Sequence, residues 1–408
     1  MSVRAVFPPR RRPAGTGLWA LLLLLSLSGC EPTPPQRFDQ QLYIWQRQWR
    51  PAHAEALAQS RGDFSTLRVL ALQAQPRVGW NRIRVDPQML IEDGRPLIAV
   101  VRLDGQLPQL DSQEIRHQVR QLLVDWRAAG LKPVGLEIDH DCASARLPAY
   151  ADLLRSLRQD LPTELKLSIT ALPAWLSSPA LAPLLAAVDG SVLQVHGVSD
   201  PTHGLFEPRQ AERWTRAYAE LSRTPFYLAL PAYGVALIDN ARGAPLVESE
   251  ASLNTGAPRR ELWVDPQQVA ALLKELRDAP PPHLGGLIWF RLPLAGDRRA
   301  WPLPTLLAVA RGQPLNAALS VAVRQTGELS ELSLGNGGTL AAALPARIEI
   351  TAQNCEAADA VGVYRVQHTT DGLLFLRQAA GQLPAGRRQA LGWARCHTLD
   401  QGAVRVQP

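Results

Sequence analysis

Short apolar runs recur along most of the chain: LYIW from Leu42, LRVLALQA from Leu67, LIAVVRL from Leu97, VGLEID from Val134, LKLSITAL from Leu165, VLQVHG from Val192, FYLALP from Phe226 and GLIWFRL from Gly286. Between most of them lie stretches of helical periodicity, at 112–129, 148–159, 208–222 and 266–278. Strands that alternate with helices pair in parallel, because each helix carries the chain back to the end where the last strand began. Eight such units over residues 38–313 predict a closed (β/α)8 barrel of the TIM type. The rival is a doubly wound open sheet, which wants a Gly-rich phosphate turn after an early strand. No G-x-G-x-x-G or Walker pattern stands at any strand end. Residues 76–96 read as an extra hairpin rather than a helix, so the second βα unit is expected to be irregular.

From Leu319 the pattern changes to short alternating runs with Gly-rich turns, LSVAVRQ, ARIEITAQ, VGVYRVQH and GLLFLRQ. These predict antiparallel strands and a small, sandwich-like all-β domain over 319–408, with the boundary near Gln313-Pro314. Such a module could bind glycan or cap the barrel.

The N-terminus carries Arg4, Arg10, Arg11 and Arg12, an apolar stretch from Leu18 to Leu27, and the sequence LSGC ending at Cys30. This is the pattern of a secretory leader over residues 1–29 with a lipoprotein cleavage site. The apolar run is short for a bilayer span of ~20 residues. Cys30 is then the lipidated first mature residue, followed by a Pro-rich tether over 30–37, and the bilayer is the expected partner at that end. Glu31 at the second mature position is not the aspartate associated with inner-membrane retention, which points to the outer membrane and the periplasm. The leader holds four arginines and no acids, so the net charge falls from +6 to +2 on its removal. With no basic run left, nucleic acid is not an expected partner. An oxidising compartment makes a Cys355 to Cys396 disulfide the expectation, while Cys142 reads as a small buried residue at a strand end.

In a barrel strand alternate side chains point inward, and those near the C-terminal end line the mouth. That parity puts Glu137, Asp139 and Asp141 on one face, and gives Arg102, Gln194, His196 and the pair Trp289 and Arg291 to the same end. Burying three like charges together is costly unless cations or a shared proton relieve it, and Arg102 and Arg291 are placed to help. Such a cluster also pushes carboxyl pKa values apart, as acid–base work requires. Because His140 points away, DHD is not a ready ligand triplet, and neither a metal nor a cofactor is expected. Trp45, Trp175, Trp289 and Tyr233 fall near strand ends, where a flat ring suits the apolar face of a sugar or simply the core. An insertion between Tyr233 and Asp265 reads as a wall or lid.

Taken together, GLEIDHD, LSITALPAW, LALPAYG and IWFRLPL resemble a bacterial lipoprotein family known as domain-of-unknown-function family 3142, which implies no activity. More distantly, GLEIDHD resembles the D-x-D-x-E strand of the chitinase-type glycoside hydrolases. LPAYG is similar to their seventh-strand motif, and GGLIWF to their eighth strand with its floor Trp. The resemblance implies Asp141 as general acid, Asp139 as partner carboxylate and Glu137 as the deepest acid, acting on a bacterial polysaccharide. By parity and their place near strand ends, Trp45, Arg102, Gln194, His196, Tyr233, Trp289 and Arg291 are the expected sugar-binding residues. Two departures stand out. Asp141 is one methylene shorter than the expected glutamate, and Gln194, Val195, His196 and Gly197 replace the sixth-strand Met-x-Tyr-Asp. A non-catalytic glycan-binding or scaffold lipoprotein is therefore the alternative.

Overall fold

In a computed structural model, residues 38–197, 204–240, 246–248 and 256–407 are described, together with Met1 and Gly243. The expected leader, Cys30 and the tether lie outside the described residues. The strands follow in chain order: β1 (Asp39–Ile44), β2 (Thr66–Gln75), β3 (Gly79–Arg82), β4 (Leu97–Leu103), β5 (Pro133–Asp139), β6 (Lys166–Ala171), β7 (Gly190–Gln194) and β8 (Phe226–Pro231). An insertion of β9 (Gly234–Ile238), β10 (Leu246–Glu248) and β11 (Arg259–Trp263) comes before β12 (Leu284–Phe290). β1 pairs in parallel with both β2 and β12, and the order β12-β8-β7-β6-β5-β4-β2 completes a ring of eight parallel strands. This is the expected (β/α)8 barrel.

The outward residues of the staves, such as Leu136, Ile138, Leu167 and Ile169, are fully buried beneath the helices. On the helix Ser112–Ala128 the buried side chains Ile115, Val119, Leu122, Leu123 and Trp126 recur at the helical period and form one stripe toward the sheet. Asp111 starts that helix by accepting from the Glu114 N–H. Similar stripes on Leu147–Asp160 and Pro266–Asp278 (Leu153, Leu154 and Leu157; Val269, Leu272, Leu273 and Leu276) belong to the same outer layer. The irregular second unit combines both motifs: β3 is a hairpin partner antiparallel to β2, and a short helix, Pro87–Asp93, then returns the chain to β4. Asp86 caps that helix and Gly94, at φ +76°, ends it, so the helical turn hides in a stretch with too few residues to show a period.

The insertion forms a three-stranded antiparallel sheet, β10-β9-β11. Beyond the barrel, β13 (Leu319–Thr326), β14 (Leu329–Asn336), β15 (Ala342–Ala343), β16 (Arg347–Ala360), β17 (Tyr364–Thr369), β18 (Gly372–Arg377), β19 (Gln382–Leu383) and β20 (Arg388–Gln407) make the all-β module. It is one six-stranded antiparallel sheet, β13-β14-β20-β16-β18-β17, with the small pair β15–β19 beside it. A core of its own includes Leu334, Ile348, Phe375 and Leu391. Cys355 and Cys396 face each other across β16 and β20 and are joined as a disulfide. The module meets the barrel where Thr305 donates to the Thr339 carbonyl at 2.7 Å, and the two make one compact unit. Among the described residues no helix is long and apolar enough to cross a membrane.

The barrel interior is crowded near its N-terminal end. Tyr227 donates to Asp39 at 3.0 Å, and the Arg68 guanidinium lies 5.5 Å from the Tyr227 ring. Gly286 makes room for this: a Cβ there would stand 2.4 Å from the Asp39 carbonyl oxygen and 2.6 Å from the Tyr227 ring. Gly286→Ala is therefore expected to lower stability by roughly 1–3 kcal/mol through overpacking, read as a lower urea midpoint at unchanged slope. An unchanged midpoint would show that the interior has slack there.

Candidate active site

The three acids of β5 and its extension form a ladder, and each rung has a different environment. Glu137 is fully buried, accepts a 2.7 Å hydrogen bond from the Tyr43 hydroxyl and forms an ion pair with Arg68. Arg68 is itself buried and is steadied by the Gln41 side chain at 2.8 Å. Burial raises the Glu137 pKa, while the Arg68 charge and the Tyr43 hydrogen bond oppose the rise. Asp139, one rung up and equally buried, is paired with Arg102 and accepts from Thr170 at 2.7 Å and from Gln194 at 3.4 Å.

Asp141 sits at the mouth, with its side chain 30% exposed. One of its oxygens accepts from Arg102 at 3.0 Å, and the other, Oδ1, is buried with no hydrogen-bond partner among the described residues. Burial and then the Asp139 charge push the Asp141 pKa up to about 6, with Arg102 pulling the other way. Arg102 is thus shared between two carboxylates and is held charged chiefly by Asp139. Gly105, in the loop after β4, packs against this rung so closely that a Cβ would lie 1.9 Å from the Asp141 carbonyl oxygen.

An aromatic patch faces the carboxylates. Phe290 stands 5.2 Å from Trp45, 5.5 Å from Tyr233, 5.7 Å from His196 and 5.8 Å from Tyr43, measured between ring centres. The Arg102 guanidinium lies 6.0 Å from the Trp45 ring centre. His196 Nδ1 and the Tyr233 hydroxyl are 3.1 Å apart, and burial brings the His196 pKa down to about 4, leaving a neutral imidazole at the mouth. A protonatable carboxyl, a second carboxylate two residues away and a floor of rings together place a proton donor beside an apolar surface. Among the described residues no group of three or more His, Cys, Asp or Glu is placed to hold a metal ion.

Comparison with known proteins bears on the same segment. Residues 93–295 match the family model described as domain of unknown function (DUF3142). That match takes in just under half of the chain. Residues 319–397 match a second model, domain of unknown function (DUF8456), which takes in most of the C-terminal sheet. No curated protein matches the chain by sequence. Among solved structures, the spore cortex-lytic enzyme SleL of Bacillus cereus is similar at 11% identity and TM-score 0.51, covering 69% of this chain and 75% of that one. A chitinase from Chromobacterium violaceum shares 13% identity at TM-score 0.47, over 67% of this chain and 98% of that one. A chitinase from Bacteroides thetaiotaomicron shares 12% at TM-score 0.46, over 63% and 90%. At such identities the likeness to SleL concerns the barrel fold.

Of the side chains singled out in the sequence, the barrel gathers Glu137, Asp139, Asp141, Arg102, Gln194, His196, Trp45 and Tyr233 along its interior and mouth. Trp289 is elsewhere: it points out of the barrel, is fully buried, and donates to the Gln40 side chain at 2.9 Å. The ring that enters the barrel from β12 is Phe290, the next residue, because Ile288 rather than Leu287 lies on the inner face with Val100 and Val192. Arg291 lies beyond the strand and pairs with Asp297 at 2.8 Å rather than with the carboxylates. Trp175 is also interior to the outer layer, donating to the Cys142 carbonyl at 2.8 Å. Cys142 is buried, and its thiol is pushed up to about 11, far from a thiolate at neutral pH.

Arg68, Tyr43, Thr170 and Phe290 complete the site. A lone arginine inside LRVLALQA, on the inward parity, is the signal that locates Arg68. Removing it strands a buried carboxylate, so Arg68→Ala is expected to destabilise the fold by about 3–5 kcal/mol. Adding Glu137→Gln to that variant is expected to recover part of the loss. Equal denaturation midpoints for Arg68→Ala and the parent chain would mean that Glu137 does not depend on Arg68.

Proposed function

We propose that this protein hydrolyses a bacterial polysaccharide at the C-terminal face of its barrel, with Asp141 as general acid, and does so from a lipid anchor at Cys30 on the periplasmic side of the outer membrane. The observation that carries the reading is the split in the Asp141 carboxyl: one oxygen is fixed by Arg102, and the other is buried near the mouth with no partner among the described residues. A carboxyl held this way is protonated below about pH 6 and can hand its proton to a glycosidic oxygen. As that C–O bond breaks, positive charge builds at the anomeric carbon, where Asp139 lies within the same cluster to offset it. Water then supplies the new hydroxyl and returns a proton to Asp141. Phe290, Trp45 and Tyr233 offer rings to the apolar faces of the sugars. The fold shared with a spore cortex-lytic enzyme agrees with a glycan as substrate.

A second reading has its own observation. Asp139 is saturated by Arg102, Thr170 and Gln194, and the sixth strand ends in Gln194 and His196 rather than in a tyrosine and an aspartate. Such a site could bind glycan without cleaving it.

Reducing-end release from a panel of exopolysaccharides and peptidoglycan, followed with the full chain in detergent beside Asp141→Asn, separates the two readings. Hydrolysis is expected to be lost in the variant by a factor of about 100 or more, and in the parent to fall about tenfold per pH unit above pH 6, as Asp141 loses its proton. Saturable binding of a polymer by both chains without release from either would make the protein a binder.

A further inference from the structure

A groove of about 780 Å³ opens beside the barrel mouth, and its chemistry differs from that of the carboxylate ladder. Its walls are the loop that leaves the C-terminal end of β1, with Arg47, Trp49 and Arg50, and the end of the β3 hairpin, with Arg82, Arg84 and Asp86. Among the described lining residues, four guanidinium groups thus stand beside one carboxylate. That carboxylate is already engaged, because Asp86 accepts from the Met89 N–H at 3.1 Å to cap the following helix. Arg82 turns part of its charge outward to Asp125 and Gln118. Arg50 and Arg84 are both exposed, and neither is in an ion pair among the described residues.

The groove is linked to the site through one buried side chain. Arg47 donates to the Gln73 side chain at 3.0 Å, and Gln73, almost wholly buried, lies in register with Arg102 on the neighbouring strand. Asn81, also in the groove wall, is the cross-strand partner of Gln73. A polymer that reached from Asp141 to the groove would pass from a region where acids and arginines pair to one where, among the described residues, the arginines outnumber the acids. Guanidinium forks match carboxylate oxygens two to two, and Trp49 adds a ring to the same lining.

We infer that this groove binds carboxylate groups along the polysaccharide, so that the preferred ligand is a uronic-acid-type polymer rather than a neutral one. The inference deepens the glycan reading of the barrel and rests on it, yet it is testable without turnover. Arg50 and Arg84 are exposed and outside the acid–base cluster, so the Arg50→Ala/Arg84→Ala chain is expected to melt at the parent temperature. Isothermal titration of the full chain in detergent would use polygalacturonate, the same polymer after carboxyl reduction, and a polyphosphate. The parent is expected to bind polygalacturonate at least about tenfold more tightly than either the reduced polymer or polyphosphate. The double variant is expected to lose that preference, with reduced-polymer binding unchanged, and added salt to weaken only the native polymer's binding. Equal affinity for native and reduced polymer, a double variant indistinguishable from the parent, or tighter binding of polyphosphate would each overturn the assignment. Cleavage of a neutral glycan with no response to polygalacturonate would refute the groove's role and leave the barrel's activity standing. Arginine-dependent binding without any cleavage would do the reverse.

Discussion

Two arginine–carboxylate pairs stacked inside the barrel let one strand carry three acids. Arg68 on β2 neutralises Glu137, and Arg102 on β4 is shared by Asp139 and Asp141. Each arginine reaches across from a stave at or near β5, and each is held in turn by neutral neighbours, Gln41 for Arg68 and the Trp45 ring for Arg102. Isolated charges at this depth would cost several kcal/mol each, so the pairs are a condition of the fold as well as of the site. The lower pair is closed off completely. The upper one has two acids for one cation, and the surplus acid is the one that meets solvent.

That imbalance organises the mouth. Asp139 takes every donor within reach, from Arg102, Thr170 and Gln194, and Asp141 is left with half of one guanidinium and a raised pKa. Opposite, Phe290 joins the rings of Trp45, Tyr43, Tyr233 and His196 into one apolar face. The insertion after β8 is fixed beside them by buried ion chemistry of its own, with Glu248 paired to Arg299 at 2.6 Å and Arg299 also bound to Glu261. Glu248 is therefore committed to holding the wall in place.

The barrel was legible because its evidence is redundant: a missed stave would still leave the alternation of apolar runs and helical stripes. The acids were legible for a related reason, since parity alone puts Glu137, Asp139 and Asp141 on one face. What parity could not supply was phase at a strand end. Trp289 and Phe290 are adjacent, and bulk favours the tryptophan as a sugar platform, but the inner face runs through Ile288 and so selects Phe290. Arg291 fell outside the rule because it lies past the last paired residue of β12. Arg68 shows in the sequence only as a polar interruption of an apolar run, although a cation on the inward parity is what a buried Glu137 demands. In the C-terminal module the short runs indicated antiparallel strands but not that β16 and β20 are long enough to weave them into a single sheet.

The central claim is that burial and the neighbouring Asp139 charge, against the pull of the shared Arg102, hold the Asp141 proton up to about pH 6. Carboxyl carbon chemical shifts of the full chain, followed by NMR from pH 3 to 8 with Asp141→Asn for assignment, test it directly. The account predicts one aspartate that titrates at about 6 and whose signal is absent from the variant. An Asp141 that titrates near the ordinary aspartate value of about 3.9 would contradict it, and the carboxylate ladder would then be an element of the fold with no acid to give.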